Sequence, residues 1–155
     1  MSRGNRGLLV ENLRELKLSS MARNLDTSIR TAQENQLDYE EFLVNLTDEE
    51  LRIRKENRLK RRMKEAGFPL MKPLETFKMD AAPELDGRLI KELASGDYIR
   101  SATNVILIGR SGTGKTHLAT GLGIAACHEG HRVRFISGCG LINELVEARD
   151  EKMLG

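Results

Sequence analysis

Asn104-Val105-Ile106-Leu107-Ile108-Gly109-Arg110-Ser111-Gly112-Thr113-Gly114-Lys115-Thr116 carries two signals in succession. After Asn104 come four apolar, mostly β-branched residues. This suits a strand buried on both faces of a parallel sheet. The remainder matches G-x-x-x-x-G-K-[ST] in full, the pattern of a loop that wraps a phosphate chain. Glycines let the backbone curl until successive N–H groups point inward, and the following helix adds the positive end of its dipole. The candidate cofactor-binding residues are Gly109, Arg110, Ser111, Gly112, Thr113, Gly114, Lys115, Thr116 and the adjoining His117. Gly112, Thr113 and Gly114 would supply amide donors. Lys115, the one catalytic candidate, would place an ammonium on the β- and γ-phosphates, and Thr116 would offer a hydroxyl to Mg²⁺. The expected cofactors are therefore ATP and Mg²⁺. The side chain of His117 would point along the helix rather than at the γ-phosphate, which favours a surface or packing role for it.

Working outward, a helix is expected from Lys115 to about Glu129, a second strand at Arg132–Ile136 and a further helix at Leu141–Arg149. The order β-α-β-α is the start of a doubly wound sheet. On the N-terminal side, Leu85, Leu89, Ile90 and Leu93 mark a helix from near Glu84 to Gly96. All three prolines (Pro69, Pro73, Pro83) fall within residues 67–83, which reads as a linker. Residues 8–66 read as helices. Leu9, Leu13, Leu16, Leu25 and Ile29 recur at helical spacing, with a break at Ser19-Ser20. Asp38 with Glu41 resembles a capping box opening a short helix through Leu46. Thr47 with Glu50 resembles another, opening a helix to Ala66, where Gly67 supplies a left-handed stop. The expected fold is α/β: a helical domain (1–66), a linker (67–83) and the first β-α-β-α portion of a P-loop parallel sheet (84–155).

A second chemical feature is charge. Between Leu51 and Lys64, eight cations (Arg52, Arg54, Lys55, Arg58, Lys60, Arg61, Arg62 and Lys64) face one carboxylate, Glu56. That imbalance favours contact with the phosphate backbone of duplex DNA, and the absence of interleaved aromatics argues against base stacking. Such contact would be salt-sensitive and blind to sequence.

The 155 residues carry a net charge of +2, with 39% hydrophobic, 31% charged and 4% aromatic residues and no Trp. Six aromatic rings are too few for a typical sandwich or barrel core. No apolar run reaches the roughly 18 residues of a membrane span, and the N-terminus does not read as a secretory signal. With only Cys127 and Cys139, a reducing, cytoplasmic setting is expected, both cysteines serving as small core hydrophobes. His128 and His131 flank Gly130 with no further metal ligands in sight.

The chain resembles the IstB-like ATP-binding proteins of insertion sequences, AAA+ ATPases related to the DnaC helicase loaders. The landmarks are Asn12-Leu13-Arg14-Glu15-Leu16-Lys17-Leu18-Ser19-Ser20-Met21-Ala22, Glu56-Asn57-Arg58, Ala66-Gly67-Phe68-Pro69, Leu74-Glu75-Thr76-Phe77, Asn104–His117, Gly123-Ile124-Ala125-Ala126-Cys127 and Val133-Arg134-Phe135. The resemblance implies an ATP-binding helper of transposition that assembles into oligomers on duplex DNA and stimulates a partner transposase. It also implies adenine contacts near Phe77. Family members continue well beyond Gly155, so the chain reads as a truncated copy without the Walker B acid, the sensors or the arginine finger. Hydrolysis is left open on that reading. In the family's sheet order, later strands lie between the two expected here, so both would expose edge N–H and C=O groups and make the second domain poorly stable alone. Two other readings stand beside this one: a DnaC-type helicase loader, and a non-enzymatic DNA- or protein-binding remnant.

Overall fold

The computed structural model describes residues 3–79, 82 and 84–153. Pro83 of the expected linker and the terminal residues Met1, Ser2 and Gly155 lie outside the described residues. Among the described residues, α-helices follow one another as α1 (Arg3–Glu15), α2 (Ser19–Glu34), α3 (Tyr39–Glu65), α4 (Gly87–Ala94), α5 (Asp97–Arg100), α6 (Lys115–His128) and α7 (Gly138–Met153), with a 3₁₀ turn at Leu74–Thr76. They form two units, Met1–Arg58 and Leu59–Gly155.

The first unit is a helical assembly whose core is Leu13, Met21, Leu25 and Leu46, with Val10, Leu18, Ala22, Ile29 and Phe42 packed around it. The expected break at Ser19-Ser20 falls just before those residues, at 16–18, and the two serines open α2. The Leu18 amide reaches back to the Leu13 carbonyl (2.8 Å) and the Lys17 amide to that of Arg14 (2.9 Å). This Schellman closure puts Lys17 in the left-handed region, at φ 59°. Glycine occupies that conformation without the Cβ penalty. Lys17→Gly is therefore expected to stabilise the chain by about 0.5–1 kcal/mol, read as a higher urea midpoint at unchanged slope.

Asp38 and Glu41 do form a reciprocal cap at the start of α3. The Asp38 amide donates to Glu41 (3.1 Å) and the Glu41 amide to Asp38 (2.8 Å). The second expected helix start, at Thr47, does not occur, and α3 runs on unbroken. The Thr47 hydroxyl bonds back to the carbonyls of Leu43 (2.8 Å) and Val44 (2.9 Å), a mid-helix alternative to capping. Glu50 is drawn to a tertiary partner instead. Its buried carboxylate accepts the amides of Ser20 (2.9 Å) and Met21 (3.0 Å) at the N-terminus of α2, and Arg54 holds its other oxygen (2.8 Å).

The second unit is built on α6. Leu118, Leu122, Ile124, Ala126 and Cys127 are buried together with Thr120, so this helix is covered on most sides, as a central element must be. Asp86 caps α4 by accepting the Arg88 amide (2.8 Å), and α4 packs on α6. Cys127 is fully buried, as expected of a small hydrophobe, and burial pushes its thiol up from the ordinary range against the weaker pull of Arg62. Cys139 is not a core residue: it lies exposed on the first turn of α7.

The expected parallel sheet is absent. Among the described residues there is no strand, and the α/β β-α-β-α reading is corrected to an all-helical arrangement with two irregular segments, 103–110 and 131–137. A strand exists through its ladder, and neither segment finds one. Phe135 spends its amide on the Ala66 carbonyl (2.7 Å) at the end of α3, and both segments line an open cleft of about 500 Å³ rather than pairing. Nor is the 105–108 run buried on both faces. Val105 and Leu107 line the cleft, while Ile106 and Ile108 are 78% and 91% exposed.

Candidate nucleotide site

The 109–116 loop leads into α6, and its shape follows from its glycines. Gly112 (φ 80°) and Gly114 (φ 86°) both take the left-handed conformation that L side chains rarely adopt. Gly114 is the N-cap of α6, with no side chain capping the helix. The amides of the first turn are therefore offered to whatever lies beyond them, an arrangement that favours an anion. Within the loop, the Thr113 hydroxyl donates to the Arg110 carbonyl (2.9 Å). A Cβ at Gly109 would lie 3.2 Å from that same hydroxyl, so the position leaves little room for a side chain.

Lys115 arches over the loop. Its Nζ donates to the carbonyls of Gly109 (2.8 Å) and Arg110 (2.5 Å). Those partners are neutral, and among the described residues no carboxylate lies within ion-pair distance of it. The loop thus concentrates uncancelled positive charge and amide donors at one bend. Arg110, Ser111 and Thr116 are exposed around it, Thr116 on the first helical turn where its hydroxyl could join a phosphate-borne Mg²⁺. Among the described residues there is no cluster of three or more His, Cys, Asp or Glu able to hold a metal by itself, so Thr116 would meet Mg²⁺ only as an ion carried in by the phosphates with its waters.

His117 is engaged on the side of the preceding segment. Its Nε2 lies 3.1 Å from the Thr76 hydroxyl and 3.3 Å from the Pro73 carbonyl. Its ring meets Phe77 edge-on at 5.2 Å. The linker reading of 67–83 does not foresee Pro73, Leu74 and Thr76 as neighbours of α6. The available signal was Gly121, one helical face along from Gly114 and His117. A Cβ there would lie 2.6 Å from Leu74, so a close approach is what the glycine permits.

The basic run on α3 is less free than its composition suggests. Arg52 pairs with Glu49 (2.7 Å) and Glu56 (2.5 Å), Arg54 with Glu50, and Arg61 with Glu65 (3.6 Å), while Arg62 donates to the Cys127 carbonyl (3.4 Å). Glu49, Glu50 and Glu65 stand just outside the Leu51–Lys64 window, at the i±3 and i±4 spacings that bring side chains together on a helix. Lys55, Arg58, Lys60 and Lys64 are exposed and make no ion pair among the described residues.

Residues 11–154 match the family profile described as IstB-like ATP binding protein. The chain belongs to this family. It is similar to the proteins named for ATP binding in insertion sequence IS21 of Pseudomonas aeruginosa (35% identical over 142 residues) and in IS232 of Bacillus thuringiensis subsp. berliner (34% over 146). It is also similar to one from an insertion sequence of Mycobacterium tuberculosis (33% over 143). These alignments cover 92%, 94% and 92% of the chain but 54%, 58% and 57% of the relatives, so the chain spans a little over half their length. No helix among the described residues is long and apolar enough to cross a membrane.

Proposed function

We propose that this chain binds ATP through Gly109–Thr116 and acts as the nucleotide-binding part of a transposition helper. The observation that carries this reading is the uncapped start of α6. Two left-handed glycines there leave amide donors beside an ammonium that no carboxylate among the described residues neutralises. Amides around Gly112–Gly114 would wrap the phosphates, Lys115 would exchange its loop carbonyls for phosphate oxygens, and Thr116 would join Mg²⁺ carried on the nucleotide. Binding and charge neutralisation are the chemistry these residues supply. Calorimetric titration with Mg²⁺-ATP tests it: saturable uptake is expected, weakened roughly 10- to 100-fold by Lys115→Ala through loss of charge-assisted hydrogen bonds. Absence of uptake by the wild-type chain would refute the site.

Membership in a family named for insertion sequences supports a transposase as the partner, and Lys55, Arg58, Lys60 and Lys64, which make no ion pair among the described residues, support duplex DNA as a second one. Replacing these four by alanine is expected to flatten the salt dependence of DNA binding, whereas replacing the ion-paired Arg52 and Arg61 should change it little. Equal slopes for both variants in a salt titration would remove α3 from the DNA contact.

A further inference from the structure

We propose that the Pro73–Phe77 turn is a strap that holds the phosphate loop in its curled form, with Phe77 and His117 as positioning residues for the phosphate chain. This rests on the nucleotide reading of the loop and extends it to how the loop is kept in shape.

Three contacts tie the turn to one face of α6 and its cap. A Cβ at Gly114 would lie 2.9 Å from Phe77 Cε2, so the phenyl edge closes directly on the left-handed residue that starts the helix. Leu74 fills the notch left by Gly121 two turns along. Between them, His117 bridges to the turn's polar groups. The Thr76 hydroxyl donates to the Pro73 carbonyl (2.8 Å) and so offers its lone pairs to His117. Both neighbours of Nε2 are therefore acceptors, and Nε2 carries a proton shared between them. Gly114, His117 and Gly121 recur at spacings of three and four, which places them on one stripe of α6. The turn itself is internally closed, with the Thr76 amide on the Pro73 carbonyl (3.1 Å) and the Phe77 amide on that of Leu74 (2.9 Å).

The consequence is thermodynamic. The Gly114 conformation sets where the first amides of α6 point, and those amides are the donors a phosphate would use. A strap that favours this conformation lowers the ordering cost of binding. Linkage makes the effect reciprocal: a ligand that needs the curled loop must tighten the strap by the same factor. A base contact by Phe77 makes a different prediction, because it would matter only to ligands that possess a base.

The test uses the full 155-residue chain and two probes with Mg²⁺, ATP and inorganic tripolyphosphate. Phe77→Ala and His117→Ala are each expected to weaken both probes alike, by about 10-fold. Phe77→Leu and His117→Gln, the latter keeping a donor near Nε2, are expected to restore most of the loss. Thr76→Val, an exposed position that cannot unfold the chain, is expected to cost up to about fivefold, the worth of one neutral hydrogen bond. If Phe77→Ala fails to fold, Thr76→Val and the two His117 variants decide. Tripolyphosphate is expected to slow hydrogen exchange at the Thr76 and Phe77 amides of the wild type. Weakening of ATP alone would make Phe77 a base contact and overturn the strap. Unchanged binding of both probes by folded variants, or unchanged exchange, would overturn it while leaving the site intact. A wild-type chain that takes up neither probe would overturn the site reading itself, and the strap with it.

Discussion

Replacing Gly114 by alanine is expected to remove ATP binding from the chain and to lower its stability by roughly 2–4 kcal/mol. Two separate effects add at this residue. Its φ of 86° lies in the left-handed region, where a Cβ costs about 1–2 kcal/mol. That Cβ would also lie 2.9 Å from Phe77 Cε2, inside any real contact distance, so either the ring or the loop must move. If the loop moves, the amides at the start of α6 turn away from the phosphate position. Gly112 is the internal control. Its φ of 80° carries the same backbone penalty, but nothing lies within 4 Å of a Cβ there. Gly112→Ala should therefore cost only that backbone penalty, about 1–2 kcal/mol. The pair separates conformational strain from crowding. Urea denaturation and calorimetry on both variants measure it, and equal losses would show that Phe77 does not crowd the loop.

Glu50→Ala is expected to cost the N-terminal unit roughly 2–4 kcal/mol. The carboxylate is buried and receives the Ser20 and Met21 amides as well as Arg54. Truncation leaves two buried donors without their acceptor. Arg54 keeps only its bond to the Lys17 carbonyl, and being partly exposed it loses less. Glu50→Gln retains an acceptor oxygen and should lie between. Acidity provides an independent check. Burial alone would raise the Glu50 pKa. The Met21 amide, the Arg54 side chain and the Ser20 amide together outweigh that and hold it below the ordinary glutamate value of 4.5. A group whose pKa is depressed on folding contributes stability above its unfolded pKa and loses it as pH falls through the folded one. Wild type should thus lose stability as the pH falls below 4.5, and Glu50→Gln should lose less over the same interval. Parallel pH curves for the two proteins would count against the assignment.

Glu50 also shows where sequence reading stops. With Thr47 it has the spacing of a capping box, and locally that is a sound inference. In the folded chain the same carboxylate caps a different helix, thirty residues away in sequence at Ser20. Its neighbours then continue α3 without interruption. The eight-cation run has the same lesson at shorter range, since half of it is committed to carboxylates and a carbonyl that a fixed window does not count.

The sequence by itself determined the local events: the Asp38–Glu41 cap, the left-handed stop at Gly67, the break between α1 and α2 and the left-handed turns at Gly112 and Gly114. Each is settled by a few consecutive residues, because a cap, a left-handed turn or a helical stripe needs no distant partner. Only tertiary structure decided that Val105–Ile108 and Val133–Ile136 remain outside a sheet, and that Leu74 and Phe77 close on α6. A β-ladder and a packed strap both require a second segment at a fixed distance, and apolar, β-branched residues specify the wish for such a partner without supplying it.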